Sequence, residues 1–168
     1  TKASSALLQG HFTGLDTEKL FRDFHAFMHG KVEKGEIPLK KGALELLSYL
    51  KEKKIPTAVA SSSKMETIAL YLESVGIKDR FDVLLTAVGM PSKPEPDVFL
   101  KAAERLHVWP EECLVLEDSY NGVKAGRAAG MQVCMVPDVL PYTAALEKFV
   151  DHVLPDLTAV MPVKRQAS

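Results

Sequence analysis

Short apolar runs alternate with amphipathic ones along most of the chain. Residues 55–60 (IPTAVA), 81–87 (FDVLLTA), 113–117 (CLVLE) and 131–136 (MQVCMV) are brief and mostly apolar, the length and texture of buried strands. Between them lie helical patterns. Residues 43–53 (ALELLSYLKEK) place Leu44, Leu47 and Leu50 on an inward face, and residues 98–108 and 120–130 read as two further helices. Ser63, with Glu66 three residues on, has the capping-box spacing that would start a helix running to about Val75. Further upstream, residues 16–34 put Leu20, Phe24, Phe27 and Met28 on one helical stripe, and EIPLKKG (36–42), with Pro38 and Gly42, reads as a linker or hinge. A last short strand is expected at 152–154, with a helical turn from Asp156. Strands joined through helices predict an α/β fold, a Rossmann-like parallel sheet with helices on both faces and right-handed crossovers. Ligands of such sheets sit beyond the carboxyl ends of the strands.

Those strand ends carry the chemistry. The first is followed by Ser61-Ser62-Ser63, the second by Ser92-Lys93-Pro94, the third ends in Glu117-Asp118 and the fourth in Pro137-Asp138. Hydroxyls and helix-start N–H groups suit phosphate oxygens, a lysine ammonium neutralises them, and a carboxylate pair suits Mg²⁺, a hard ion that prefers oxygen. Ser61, Ser62 and Lys93 are therefore the candidate phosphate ligands, with Ser61 and Lys93 the candidate catalytic groups. Glu117 and Asp118 are the candidate metal ligands. Ser119 and Asn121 stand beside the acids as supporting groups, and Asn121 serves equally well as a cap for the turn. Ser63 is expected to be only a helix cap.

Composition narrows the function. A formal net charge of −1 offers nothing to nucleic acid or to an anionic membrane surface. No apolar run approaches the length that spans a bilayer, and the first residues lack the apolar core of a secretory signal. Cys113 and Cys134 lie in strand-like runs and read as buried free thiols of a reducing compartment, so a cytoplasmic location is expected. Trp109 is expected to pack, and the five histidines show no metal-ligand spacing.

The phrases VASSSK, SKPEPDVF, LVLEDSYNGVKAG and AAGMQVCMVPD together resemble the haloacid dehalogenase-like superfamily, in its branch of small-cap phosphatases and β-phosphoglucomutase-like enzymes. The resemblance implies a core at 41–168 and the later helices of a helical cap at 1–40. It makes Ser61 the hydroxyl that binds the transferring phosphoryl group, Lys93 the lysine that steadies it, and Glu117 and Asp118 the Mg²⁺ acids. It implies a phosphatase of a small phosphorylated metabolite such as a sugar phosphate, working through an aspartyl-phosphate. The alternatives are a phosphosugar mutase, or an inactive fragment or phosphate-binding module. One departure stands out: the family's opening Asp-x-Asp-x-Thr strand has no counterpart here, and Asp16, Asp79 and Asp82 do not replace it. The chain reads as opening partway through the cap and is expected to be inactive alone. The missing strand would lie between those ending at Ser61 and Glu117, leaving edges that close on each other or pair with another chain.

Overall fold

The computed structural model describes residues 8–161. The chain divides into two compact units, residues 1–38 and 39–168. In the first, helix α1 (Thr17–Glu33) is capped by Asp16, whose carboxylate accepts from the Lys19 N–H at 2.9 Å. Its apolar stripe does not lie in a core. Leu20, Phe24 and Phe27 are exposed, whereas Thr17 and Val32 are buried.

The second unit runs α2 (Ala43–Glu52), β1 (Ala58–Ser61), α3 (Met65–Ser74), β2 (Val83–Thr86), α4 (Asp97–Leu106), β3 (Leu114–Glu117), α5 (Tyr120–Ala128), β4 (Gln132–Met135) and β5 (His152–Val153). Every strand pairing is parallel, as helix crossovers require. Ser61 lies opposite Thr86 at the end of the β1–β2 pair, and Glu117 opposite Met135 at the end of β3–β4. The strands nevertheless form two sheets, β1–β2 and β3–β4–β5. Among the described residues, β1 and β3 are not hydrogen-bonded to each other, so each has a free edge.

The core gathers Val98 of α4, Val115 of β3, Val123 and Ala125 of α5, and Val133 and Met135 of β4. The small residues of α5 let it lie close to the sheet. A Cβ on Gly126 would stand 3.0 Å from Val133 Cγ2 and 3.2 Å from Val115 Cβ. Among the described residues no helix is long and apolar enough to cross a membrane.

Several local expectations need correction. Helix α2 buries Leu46 and Leu47 and leaves Leu44 in water, its inward face following the 43, 46, 47, 50 spacing. Ser63 caps nothing: the cap residue of α3 is Lys64, without a side-chain bond. The Ser63 peptide is engaged elsewhere, its N–H donating to Ser61 Oγ at 3.1 Å and its carbonyl accepting from Thr86 Oγ1 at 2.6 Å. Trp109 does not pack; it is 71% exposed. Cys134 is buried but Cys113 only half so, and both are free thiols.

The start of α2 is anchored to the C-terminal turn at Leu157–Val160. Gly42 has φ +84°, and a Cβ there would stand 2.5 Å from the Thr158 nitrogen. The Lys41 carbonyl accepts from the Leu157 N–H at 3.1 Å, and the Lys41 ammonium meets Asp156 at 2.7 Å. That ammonium, and after it the Thr158 hydroxyl, hold the Asp156 carboxyl down to about 2. Because the folded-state value is depressed, the resulting stability is fully present above the ordinary carboxylate range and is lost as pH falls toward about 2. An NMR carboxyl titration is expected to place Asp156 at about 2, and Lys41→Met should move it up toward the ordinary aspartate value. An Asp156 midpoint unmoved by that change would contradict the pairing.

Candidate active site

The carboxyl ends of β1 and β3 meet at one lysine. Lys93, in the loop after β2, donates from Nζ to the Ala60 carbonyl at 3.1 Å and to Glu117 Oε1 at 2.5 Å. It also lies over the Phe99 ring, 4.4 Å from the centroid. The two ionic side chains are only 10% and 11% exposed. Withdrawing such a pair from water is costly unless its remaining valences are met. Here they are. Glu117 Oε2 accepts from the Asp118 N–H at 3.2 Å, the Ser119 N–H at 3.3 Å and the Ser119 hydroxyl at 2.9 Å.

Ser119 is the cap of α5, its Oγ accepting from the Gly122 N–H at 3.0 Å. One hydroxyl thus both starts the helix and orients Glu117. Gly122 leaves space for the carboxylate, since a Cβ there would fall 2.0 Å from Glu117 Cδ. The Asn-Gly pair in the sequence carried this signal, but the need for glycine became plain only with the fold.

The adjacent acids therefore occupy different environments. Glu117 is sequestered with Lys93, while Asp118 is 51% exposed. Asp118 Oδ2 stands 3.8 Å from the ammonium of Lys40, which also donates to the Val136 carbonyl at 3.0 Å and lies 3.5 Å from Asp138 Oδ2. Lys40 looked like a linker residue, and Asp138 was seen only as one more strand-end acid. Their meeting joins positions 96 residues apart in the case of Lys40 and Val136, which no local pattern reveals.

Ser61 closes β1 beside Ala60, its Oγ accepting from Ser63. Ser62 is exposed, as is Asn121 in the first turn of α5. The cap of that helix is Ser119, so Asn121 does not cap the turn. Lys93, Glu117, Ser119 and the end of β1 are thus brought together by hydrogen bonds. Asp118 sits at the water-facing side of the same loop. An open cavity lined by Lys51, Lys54, Asp79, Arg80 and Asp82 lies at the amino ends of β1 and β2, away from these groups.

Among the described residues, no three carboxylate, imidazole or thiol groups form a ready metal cage. Mg²⁺ asks for less, commonly one or two carboxylates completed by water and substrate oxygens. Oxygens of Asp118, Asp138 and Val136 already converge on one cation, the Lys40 ammonium. A hard oxygen donor set at a position that favours positive charge fits the ion.

Parallel strands that bring a hydroxyl, a lysine and paired acids to one rim define an α/β protein with a polar site at its strand ends. Comparison with known proteins makes this specific. The haloacid dehalogenase-like hydrolase family matches residues 5–130, and the chain belongs to that family. It is 33% identical over 158 residues to the bifunctional riboflavin kinase/FMN phosphatase of Arabidopsis thaliana, covering 93% of this chain and 41% of that protein. It is 39% identical over 101 residues to hexitol phosphatase B of Escherichia coli K12, covering 60% of this chain and 46% of that one. The crystal structure of CbbY from Rhodobacter sphaeroides in complex with phosphate superposes with a TM-score of 0.76 at 25% identity, covering 92% of this chain and 72% of that one. The chain spans about half the length of the curated relatives it matches.

Gly122→Ala is expected to push the Glu117 carboxylate off Lys93 and lower stability by about 3 kcal/mol, the scale of breaking a buried ion pair. Glu117→Gln should cost about as much. Because both remove one interaction, urea unfolding of the double variant should show far less than the sum. Additive losses would mean that Gly122 matters for some other reason.

Proposed function

We propose that this chain supplies the phosphate- and metal-binding part of a Mg²⁺-dependent phosphatase of small phosphomonoesters, sugar phosphates foremost. The observation that carries the reading is the buried Lys93 ammonium, held by Glu117 at the point where β1 and β3 end. An ammonium fixed in place before substrate arrives stabilises developing phosphoryl charge without reorganising, the most effective form of electrostatic help. The names of relatives such as hexitol phosphatase B, and the phosphate bound in the CbbY crystal, support the substrate class.

In this reading Lys93 offsets the charge of the transferring phosphoryl group. The Ser61 hydroxyl and the peptide N–H of Ser62 donate to its oxygens. Asp118 holds the metal, and Glu117 serves mainly by positioning Lys93, reaching the ion only if it gives up part of that pairing. Ser119 orients Glu117, and Asn121 stands at the rim beside them. When bound, Mg²⁺ supplies the positive charge that brings phosphate and carboxylates together.

The nucleophilic aspartate belongs to an Asp-x-Asp strand that this chain does not carry. We place that strand between the free edges of β1 and β3, where its backbone would join the two sheets. The chain alone is then a binding module, and residues 1–40 are the part of the cap that precedes its core.

The test is a chimaera in which the opening strand of hexitol phosphatase B is joined to this chain, assayed with a hexitol phosphate and with a generic aryl phosphate. The chain alone should be silent. The chimaera should turn over with Mg²⁺ and lose about 10²–10³-fold with Lys93→Met or Asp118→Asn. Turnover undiminished by either change would defeat the assignment.

A further inference from the structure

We propose that Lys40 is a built-in counter-ion that occupies the cation position beside Asp118 and yields it when a divalent ion binds. The inference rests on the reading of Asp118 as the metal ligand and adds to it a residue that sets the ion's affinity. Three oxygens from two segments face the Lys40 ammonium: the Val136 carbonyl at 3.0 Å and Asp138 Oδ2 at 3.5 Å after β4, and Asp118 Oδ2 at 3.8 Å after β3. Its side chain is only 28% exposed, although it belongs to a stretch with the composition of a linker.

The reach of Lys40 is set by its backbone. The Lys40 carbonyl accepts from the Ala43 N–H at 3.0 Å as α2 begins. On the next residue, the Lys41 carbonyl is bonded to Leu157 and the Lys41 ammonium to Asp156. Gly42 lies so close to Thr158 that no side chain fits there. The chain therefore presents one lysine to the C-terminal turn and its neighbour to the rim.

Two carboxylates facing one point repel each other unless a cation lies between them. A monovalent ammonium compensates one of the charges, and a divalent ion compensates both. The two cations compete for the same oxygens, and like charges about 4 Å apart at a half-exposed site disfavour each other by about tenfold in affinity. Lys40 thus keeps the rim ordered without metal and weakens metal binding at the same time. Occupancy by the ion would also release Lys40, the link between residues 39–42 and the end of β4.

The test is Mn²⁺ titration of the whole chain, followed by the EPR signal of the free ion, for wild type, Lys40→Met, Lys40→Arg and Asp118→Asn. Lys40→Met should bind Mn²⁺ about tenfold more tightly, Lys40→Arg should resemble wild type, and Asp118→Asn should remove the binding in either background. In chelator, Lys40→Met should melt earlier than wild type, and Mn²⁺ should restore it. Equal or weaker Mn²⁺ binding by Lys40→Met, still dependent on Asp118, would overturn the counter-ion role and leave Asp118 as the ligand. No binding by any variant at millimolar Mn²⁺ would overturn both.

Discussion

Lys93 and Glu117 stand 2.5 Å apart with about nine-tenths of each side chain out of water. An isolated charge in that position would be severely destabilising, and the pair persists because each member has further partners. Lys93 has the Ala60 carbonyl and the Phe99 ring; Glu117 has the Ser119 hydroxyl and two peptide N–H groups. These partners come from β1, α4 and the β3–α5 turn. The pair is therefore what ties the ends of the two sheets together where backbone pairing does not, and the local geometry of the site follows from it.

This dependence explains the turn after β3. Ser119 must cap α5 and face Glu117 together, Gly122 must lack a side chain, and α5 must then lie close enough for Gly126 to touch Val115 and Val133. The sequence DSYNG is a set of steric and hydrogen-bonding requirements around one carboxylate. Asp118, one residue on, escapes those requirements and stays about half exposed, at 51%.

Much of this was legible in the residues alone. The alternation of apolar runs and helical faces gave the parallel α/β plan, and the strand ends pointed to Ser61, Lys93, Glu117 and Asp118. Strand boundaries moved by a few residues, since period says less about ends than about type. The face of α2 was misread because the 44, 47, 50 and the 43, 46, 47, 50 stripes both fit a helical period, and the period alone does not say which turns to the core. Ser63 has the right spacing for a cap, yet its peptide is taken up by Ser61 two residues back and by Thr86 on the neighbouring strand. Trp109 is exposed where packing was the expectation. Lys40 left no local trace, because what defines it is a contact spanning 96 residues. The different surroundings of Glu117 and Asp118 were equally hidden, for neighbours in a chain say nothing of which one a helix will cover.

The burial of Lys93 makes chemistry and architecture hard to separate at that position. A substitution there removes a charge from the rim and at the same time leaves the Glu117 carboxylate stranded in the interior. Drift at position 93 would endanger the native state before it could tune reactivity. Position 118, about half exposed, is where a side chain can change without stranding a buried charge. In such a molecule the two members of the acidic pair differ in what they cost the fold: the sequestered one is tied to the core, and the solvent-facing one is not.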